Sequence, residues 1–165
     1  MRYKAAIITI SDKGSRGERE DTSGPGLAEM LQKNYEVIET VIVPDEVDQI
    51  AGAIRKQIDE QCADLVVTTG GTGVAKRDVT PEATRLVIDK ELPGFAEVMR
   101  QRSCEITPHA MISRAICGIR RESIVLNLPG SPRAAQECLS FVFDAIPHAL
   151  DKLKGDPTDC ARPST

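Results

Sequence analysis

Residues 64–84 read DLVVTTGGTGVAKRDVTPEAT, and this stretch decides the fold. Residues 64–69 end in an apolar and β-branched run without polar alternation, the pattern of a strand buried on both faces. The run passes straight into Gly70-Gly71-Thr72-Gly73, where glycine admits positive φ and lets several backbone N–H groups turn toward one point. Thr80-Pro81 then reads as an N-cap followed by proline at the first helical position. The glycine turn is neither the phosphate loop ending in Gly-Lys-Ser/Thr nor the dinucleotide GxGxxG pattern.

Three more segments share this form. Residues 5–10, 35–43 and 123–128 also read as strands, rich in apolar and β-branched residues, and they are followed by Ser11-Asp12, Pro44-Asp45 and Pro129-Gly130. Between them the spacing is helical: Leu27, Met30 and Leu31 first, then Val47, Ile50, Ala51, Ile54 and Ile58 on one face. Ser131-Pro132 repeats the cap-then-proline signature. Behind it a stripe from Ala134 to Leu153 predicts one long helix, kinked near Phe143 by Pro147. Residues 106–121 fit neither period and are expected to form a short strand and a loop. Residues 155–165 are small, polar and proline-bearing, the composition of a disordered tail, which leaves 1–154 as the domain. Strands alternating with helices predict right-handed crossovers, hence a single three-layer α/β/α domain around a mostly parallel sheet.

Composition narrows the function. A chain of 165 residues with 41% hydrophobic content fills one core without disulfides or a structural metal. A net charge of −4 and no basic stripe argue against nucleic-acid and anionic-membrane binding, and the absence of tryptophan leaves few stacking platforms for single strands. The cysteines, Cys62, Cys104, Cys117, Cys138 and Cys160, form no CxxC pair, and only His109 and His148 accompany them. That is the usage of unpaired thiols in a reducing compartment. The first apolar run is too short for a secretory core and no run approaches a membrane span, so the expected location is cytoplasmic.

In a parallel sheet, ligands bind beyond the carboxyl ends of the strands. Asp12, Asp45, the Gly70 loop and the Pro129 turn all fall there. Arg77, Asp78, Thr80, Pro81 and Glu82 follow the glycines closely, placing a guanidinium, carboxylates and a helix start beside a phosphate-type turn. An Arg-Asp pair is ordinarily a surface ion pair, and an acidic residue after Pro44 ordinarily favours a helix dipole. Position shifts that balance, since Asp45 and Asp78 both follow strand ends and suit a hydrated Mg²⁺ that takes one or two carboxylates plus phosphates. Asp12 and Asp21 extend the acidic rim. The helix starts at Ser23-Gly24 and at Pro129-Gly130-Ser131 offer donors for a second anionic group, and Ser113-Arg114 offers another polar contact. Both histidines lie outside these loops, so a Ser-His-acid arrangement is not expected.

In order along the chain, TISDKGSRGEREDTSGPGL, TTGGTGVAKRDVTPEAT, PGFAEVMRQ, ISRAICGIR and NLPGSPRAAQECL resemble the molybdopterin adenylyltransferases of molybdenum-cofactor synthesis, a family that includes bacterial MogA and MoaB and the G domain of gephyrin. The similarity spans about residues 4–153. It implies an α/β three-layer fold, a homotrimer, binding of molybdopterin and of ATP with Mg²⁺, and transfer of AMP to the pterin's terminal phosphate with release of pyrophosphate. A downstream molybdenum-insertion protein is an implied partner. By motif, Asp45 and Asp78 take the family's functional carboxylate positions. Gly70, Gly71, Thr72, Gly73, Thr80, Pro81, Glu82, Ser23, Gly24, Ser113, Arg114, Gly130 and Ser131 fall in its substrate-lining segments. The alternative is a scaffold that holds the pterin without turning over ATP. Met111, Ile112, Ile116 and Ile119 have no evident place in the sheet and are expected at an interface between copies.

Overall fold

Register, more than strand identity, builds the edge where the loops meet. The computed structural model describes residues 2–157. Its sheet contains β1 (Tyr3–Ile10), β2 (Tyr35–Val43), β3 (Leu65–Thr69), β4 (Lys90–Glu91), β5 (Cys117–Arg120) and β6 (Ser123–Leu128), in the order β2-β1-β3-β6-β5-β4. The first four strands in that order are parallel, with Ile10 beside Val43, Thr9 beside Thr69 and Thr69 beside Leu128. Their carboxyl ends are therefore level, and the four following loops open on one side. β5 and β4 continue the sheet antiparallel.

The helices are α1 (Asp12–Ser15), α2 (Ser23–Leu31), α3 (Val47–Asp59), α4 (Thr80–Arg85), α5 (Pro93–Ile106), α6 (Pro132–Val142) and α7 (Ala145–Leu153). Alternation along β1 sorts them into layers. Ala5 and Ile7 join Leu27, Leu31, Met99, Leu139, Ile146 and Leu150 on one face, whereas Ala6, Ile8 and Ile10 join Ile50, Ile54, Ala83 and Val87 on the other. Each fully buried aliphatic side chain contributes about 1.5–3 kcal/mol through removal from water. The expected three layers are present. The crossover from β1 to β2 places α2 on one face, and the return from β2 across β1 to β3 places α3 on the opposite face. Strands are added outward from β1 first on one side, as β2, and then on the other, as β3, so the topological switch point of the sheet lies between β1 and β3.

Local departures from the sequence reading have clear causes. The long terminal helix is broken at Phe143-Asp144 rather than kinked, because Pro147 cannot donate to the carbonyl of Phe143. Thr80 is not an N-cap: Val79 holds that position, and Thr80 is fully buried inside the first turn. Helix α5 was not anticipated. Only Ala96 and Met99 are buried along it, so its apolar stripe is narrow and interrupted by charge. Residues 106–121 do contain the expected short strand, β5, after a 3-10 turn at Pro108–Ile112. Ile116 belongs to the core and Ile119 pairs within the sheet, so of the four residues expected at an interface only Met111 and Ile112 face outward. Gly155 closes α7 at φ 86°; the tail beyond Pro157 lies outside the described residues.

Candidate active site

Gly70 and Gly71 leave β3 at φ 104° and 64°, a left-handed sequence that only glycine adopts without strain. The loop this makes is held by Thr80, whose N–H donates to Gly71 O at 3.0 Å and whose hydroxyl donates to Gly70 O at 2.8 Å. A buried chain supports Thr80 in turn. The Asn127 amide on β6 donates to Thr68 Oγ1 and Thr84 Oγ1, and Thr84 donates to Thr80 O. Every polar atom of that chain has a protein partner, which makes the platform under the loop rigid.

Two cavities meet at this loop. The first, about 440 Å³, is walled by Met99 and Ser103 of α5, Cys138 of α6, and Thr72, Gly73, Asp78 and Ser113. The second, about 500 Å³, is more polar and is lined by Thr9, Asp21, Ser23, Asp45, Gly70 and Ser131. Gly71 and Gly130 border both, and Pro129 borders the first. The loop thus separates a largely apolar recess, suited to a ring system, from a polar one, suited to phosphates.

The carboxylates stand on either side of the same turn. A methyl group at Gly71 would lie 3.2 Å from Asp45 Oδ1, and one at Gly73 would lie 2.8 Å from Asp78 Oδ2. β2 and β3 are not neighbours, since β1 lies between them and brings Asp12 into the gap. Burial pushes the Asp45 carboxyl above its usual range, and the nearby negative charges of Asp12 and Asp78 push it further. Asp12 behaves oppositely, because the Arg77 guanidinium bound to it holds its carboxyl below the usual range.

Several residues expected to contact ligand are engaged by the protein itself. Arg77 forks onto Asp12, at 3.0 and 2.8 Å, and reaches Glu46 at 2.8 Å. Asp21 occupies the start of α2, accepting N–H from Ser23 at 3.1 Å and Gly24 at 3.0 Å while Thr9 donates to it at 2.7 Å. The second anion site expected at Ser23-Gly24 is therefore already filled by a carboxylate. Ser23 Oγ donates to Gly130 O, tying the two helix starts together. Ser131 caps α6, accepting from Ala134 N–H at 3.5 Å. Arg114 bonds Glu82 and loop carbonyls. Asp12, Gly24, Arg77, Thr80, Pro81, Glu82 and Arg114 line neither cavity; the other candidates do.

The sequence reading missed the α5 wall and His109, which lines the first cavity although it lies outside the strand-end loops. The signal for α5 was the spacing of Ala96, Met99, Arg100 and Ser103 behind Pro93, legible as one helix face.

A doubly wound sheet with a glycine turn at its switch point and two cavities meeting there defines a small-molecule-binding α/β domain. The family model described as "Probable molybdopterin binding domain" matches residues 6–148, and the chain belongs to that family. It is 46% identical over 153 residues to a protein of Helicobacter pylori (strain J99) named molybdopterin adenylyltransferase, covering 91% of this chain and 87% of that one. A protein of the same name from Escherichia coli (strain K12) is 38% identical over 173 residues, covering 96% and 89%. Among solved structures, the molybdopterin biosynthesis enzyme MoaB from Thermus thermophilus superposes with a TM-score of 0.88 at 45% identity, covering 95% of this chain and 99% of that one. The tungsten cofactor synthesizing protein MoaB from Pyrococcus furiosus superposes with a TM-score of 0.87 at 40% identity, covering 93% and 98%.

Proposed function

We propose that this protein is a molybdopterin adenylyltransferase that transfers AMP from ATP to the terminal phosphate of molybdopterin, giving adenylylated molybdopterin and pyrophosphate. Relatives of 38–46% identity bear that name across nearly the whole chain. The observation that carries the chemistry is the placement of Asp45 and Asp78 on either side of one glycine turn between two cavities.

The reaction is an in-line displacement in which a pterin phosphate oxygen bonds to the α-phosphorus and the bond to pyrophosphate breaks. Such transfers need positioning and charge neutralisation more than a protein nucleophile. In this reading the apolar cavity takes the pterin and the polar cavity takes nucleotide phosphates against the Gly70-Gly71 backbone. The donor set suits Mg²⁺: hard carboxylate oxygens of Asp45 and Asp78, from two loops, face the same glycine turn. Asp45 and Asp78 would hold the ion, which when bound offsets the triphosphate charge. Relief of the repulsion among Asp12, Asp45 and Asp78 favours that binding. The same reading includes a homotrimer, a downstream molybdenum-insertion partner and a cytoplasmic location; among the described residues no helix is long and apolar enough to cross a membrane.

Single-turnover formation of adenylylated molybdopterin from labelled ATP, with a parallel pterin-binding titration, tests the proposal. Asp78→Asn keeps the side-chain shape and is expected to slow AMP transfer by about 100-fold or more while pterin binding persists. Wild-type protein that binds pterin but makes no product with ATP and Mg²⁺ would be a scaffold instead.

A further inference from the structure

Four groups spread over residues 72–82 converge on Arg114. Its Nε donates to Gly73 O at 2.7 Å, its Nη2 donates to Asp78 O at 2.6 Å, and both terminal nitrogens reach the Glu82 carboxylate. Its own N–H donates to Thr72 O at 2.8 Å. Residue 114 therefore closes the loop after β3 upon itself and ties it to α4. Between these anchors, Asp78 Oδ2 accepts the Ala75 N–H at 2.9 Å and faces Gly73 across the space a methyl group would fill.

We propose that Arg114 is a positioning residue, whose guanidinium holds the glycine loop and Asp78 in the geometry AMP transfer requires, without touching substrate. The inference rests on the adenylyl-transfer reading above. The acceptors belong to three separate residues, two loop carbonyls met by Nε and Nη2 and a carboxylate met by Nη1 and Nη2, and a planar fork of donors meets all three at once. A lysine ammonium supplies the same charge from a single point and cannot hold them together. Glu82 fixes the fork from its far side, and Arg114 in turn keeps the Glu82 carboxyl ionised, below its usual range. With its donors engaged and its side chain outside both cavities, Arg114 is poorly placed to bind a phosphate. Misplacement of a catalytic group by about 1 Å costs on the order of 100-fold in rate, so a loosened loop shows itself in turnover before it shows itself in affinity.

Arg114→Lys and Arg114→Ala are compared with wild-type protein in single-turnover AMP transfer, in molybdopterin titration, and in amide hydrogen exchange of the ligand-free protein. Both variants are expected to slow transfer by roughly 10- to 100-fold with little change in pterin affinity. Exchange at the Ala75 and Asp78 amides is expected to quicken in both, and added methylguanidinium is expected to restore part of the rate to Arg114→Ala only. Glu82→Gln, which leaves the guanidinium in place, is expected to show a smaller loss in the same direction and serves if the Arg114 variants do not fold. A wild-type rate in Arg114→Lys, a raised KM for ATP with kcat unchanged, or unaltered exchange at Ala75 and Asp78 would overturn the proposal. The exchange arm contains no substrate, so it judges the loop even if wild-type protein makes no adenylylated product, a result that would instead refute the activity.

Discussion

Asp12 and Asp45 each accept the other's backbone N–H: Asp12 N–H donates to Asp45 Oδ2 at 2.9 Å, and Asp45 N–H donates to Asp12 Oδ1 at 3.1 Å. This reciprocal pair fastens the loop after β1 to the loop after β2 and aims two carboxylates at the switch point. One of the two is neutralised by Arg77 and the other is not. The site thus retains uncompensated negative charge, an arrangement suited to an incoming cation.

Asp45→Asn is expected to abolish most AMP transfer while raising the Tm of ligand-free protein at pH 7. The sign follows from linkage. Asp45 has a folded pKa raised above the ordinary 3.8, so the folded state binds its proton more tightly than the unfolded state, and stability declines as pH rises through the folded value. Asparagine removes that decline and can still accept the Asp12 N–H. Thermal melts from pH 7 downward should show the variant's advantage shrinking as pH falls through the window just above 3.8. A variant less stable than wild type at pH 7 would contradict the charge argument.

Gly71→Ala and Gly52→Ala should move stability in opposite directions. At φ 64°, with Thr80 Oγ1 and Asp45 Oδ1 in its path, a methyl group on residue 71 costs about 1–2 kcal/mol and intrudes on both cavities. Nothing stands within 4 Å of a methyl on Gly52, inside α3, where alanine gains about 0.5–1 kcal/mol of helix propensity. Denaturant titrations measure both, and nucleotide binding should be weakened only in the first.

Self-association should depend on the exposed apolar residues beside the first cavity. Met111 and Ile112 are 71% and 56% exposed, and Ile106 adjoins them at 54%. Light scattering at micromolar concentration is expected to give an oligomer mass for wild type and a monomer mass for Met111→Glu combined with Ile112→Glu. A wild-type monomer would place the trimer expectation in error.

The cysteines should matter for stability and not for chemistry. Cys62 is exposed and Cys117 is 1% exposed; burial pushes the Cys117 thiol up to about 12, leaving it protonated. Cys62→Ser is expected to be neutral, whereas Cys117→Ser buries a hydroxyl at a cost of roughly 1–3 kcal/mol. Cys138 lines the first cavity beside Ser103, with Sγ 3.4 Å from the serine oxygen. Turnover that survives in a folded Cys138→Ser variant shows that this thiol beside Ser103 takes no part; its loss would reveal a role for it.

The sequence by itself determined the elements whose signals are local. Residues 64–69 read as a doubly buried strand because their apolar and β-branched residues run on without a polar-apolar alternation, Gly70-Gly71 reads as a turn because other residues resist positive φ, and Ser131-Pro132 reads as a helix start because a hydroxyl cap and a fixed φ belong together. The same local signals, joined to the family resemblance, marked Asp45, Asp78 and the glycine loop. Only the tertiary structure decided the strand order, which sets β1 and Asp12 between the two chosen carboxylates, and only it made the Ala96, Met99 and Ser103 face of α5 a cavity wall. It also decided which charges are spent within the protein. Arg77 finds Asp12 across 65 positions and Arg114 finds Glu82 across 32, and nothing in either neighbourhood names its partner. The reason is physical: backbone propensity acts over a few residues, whereas an ion pair forms only after packing has brought distant segments together.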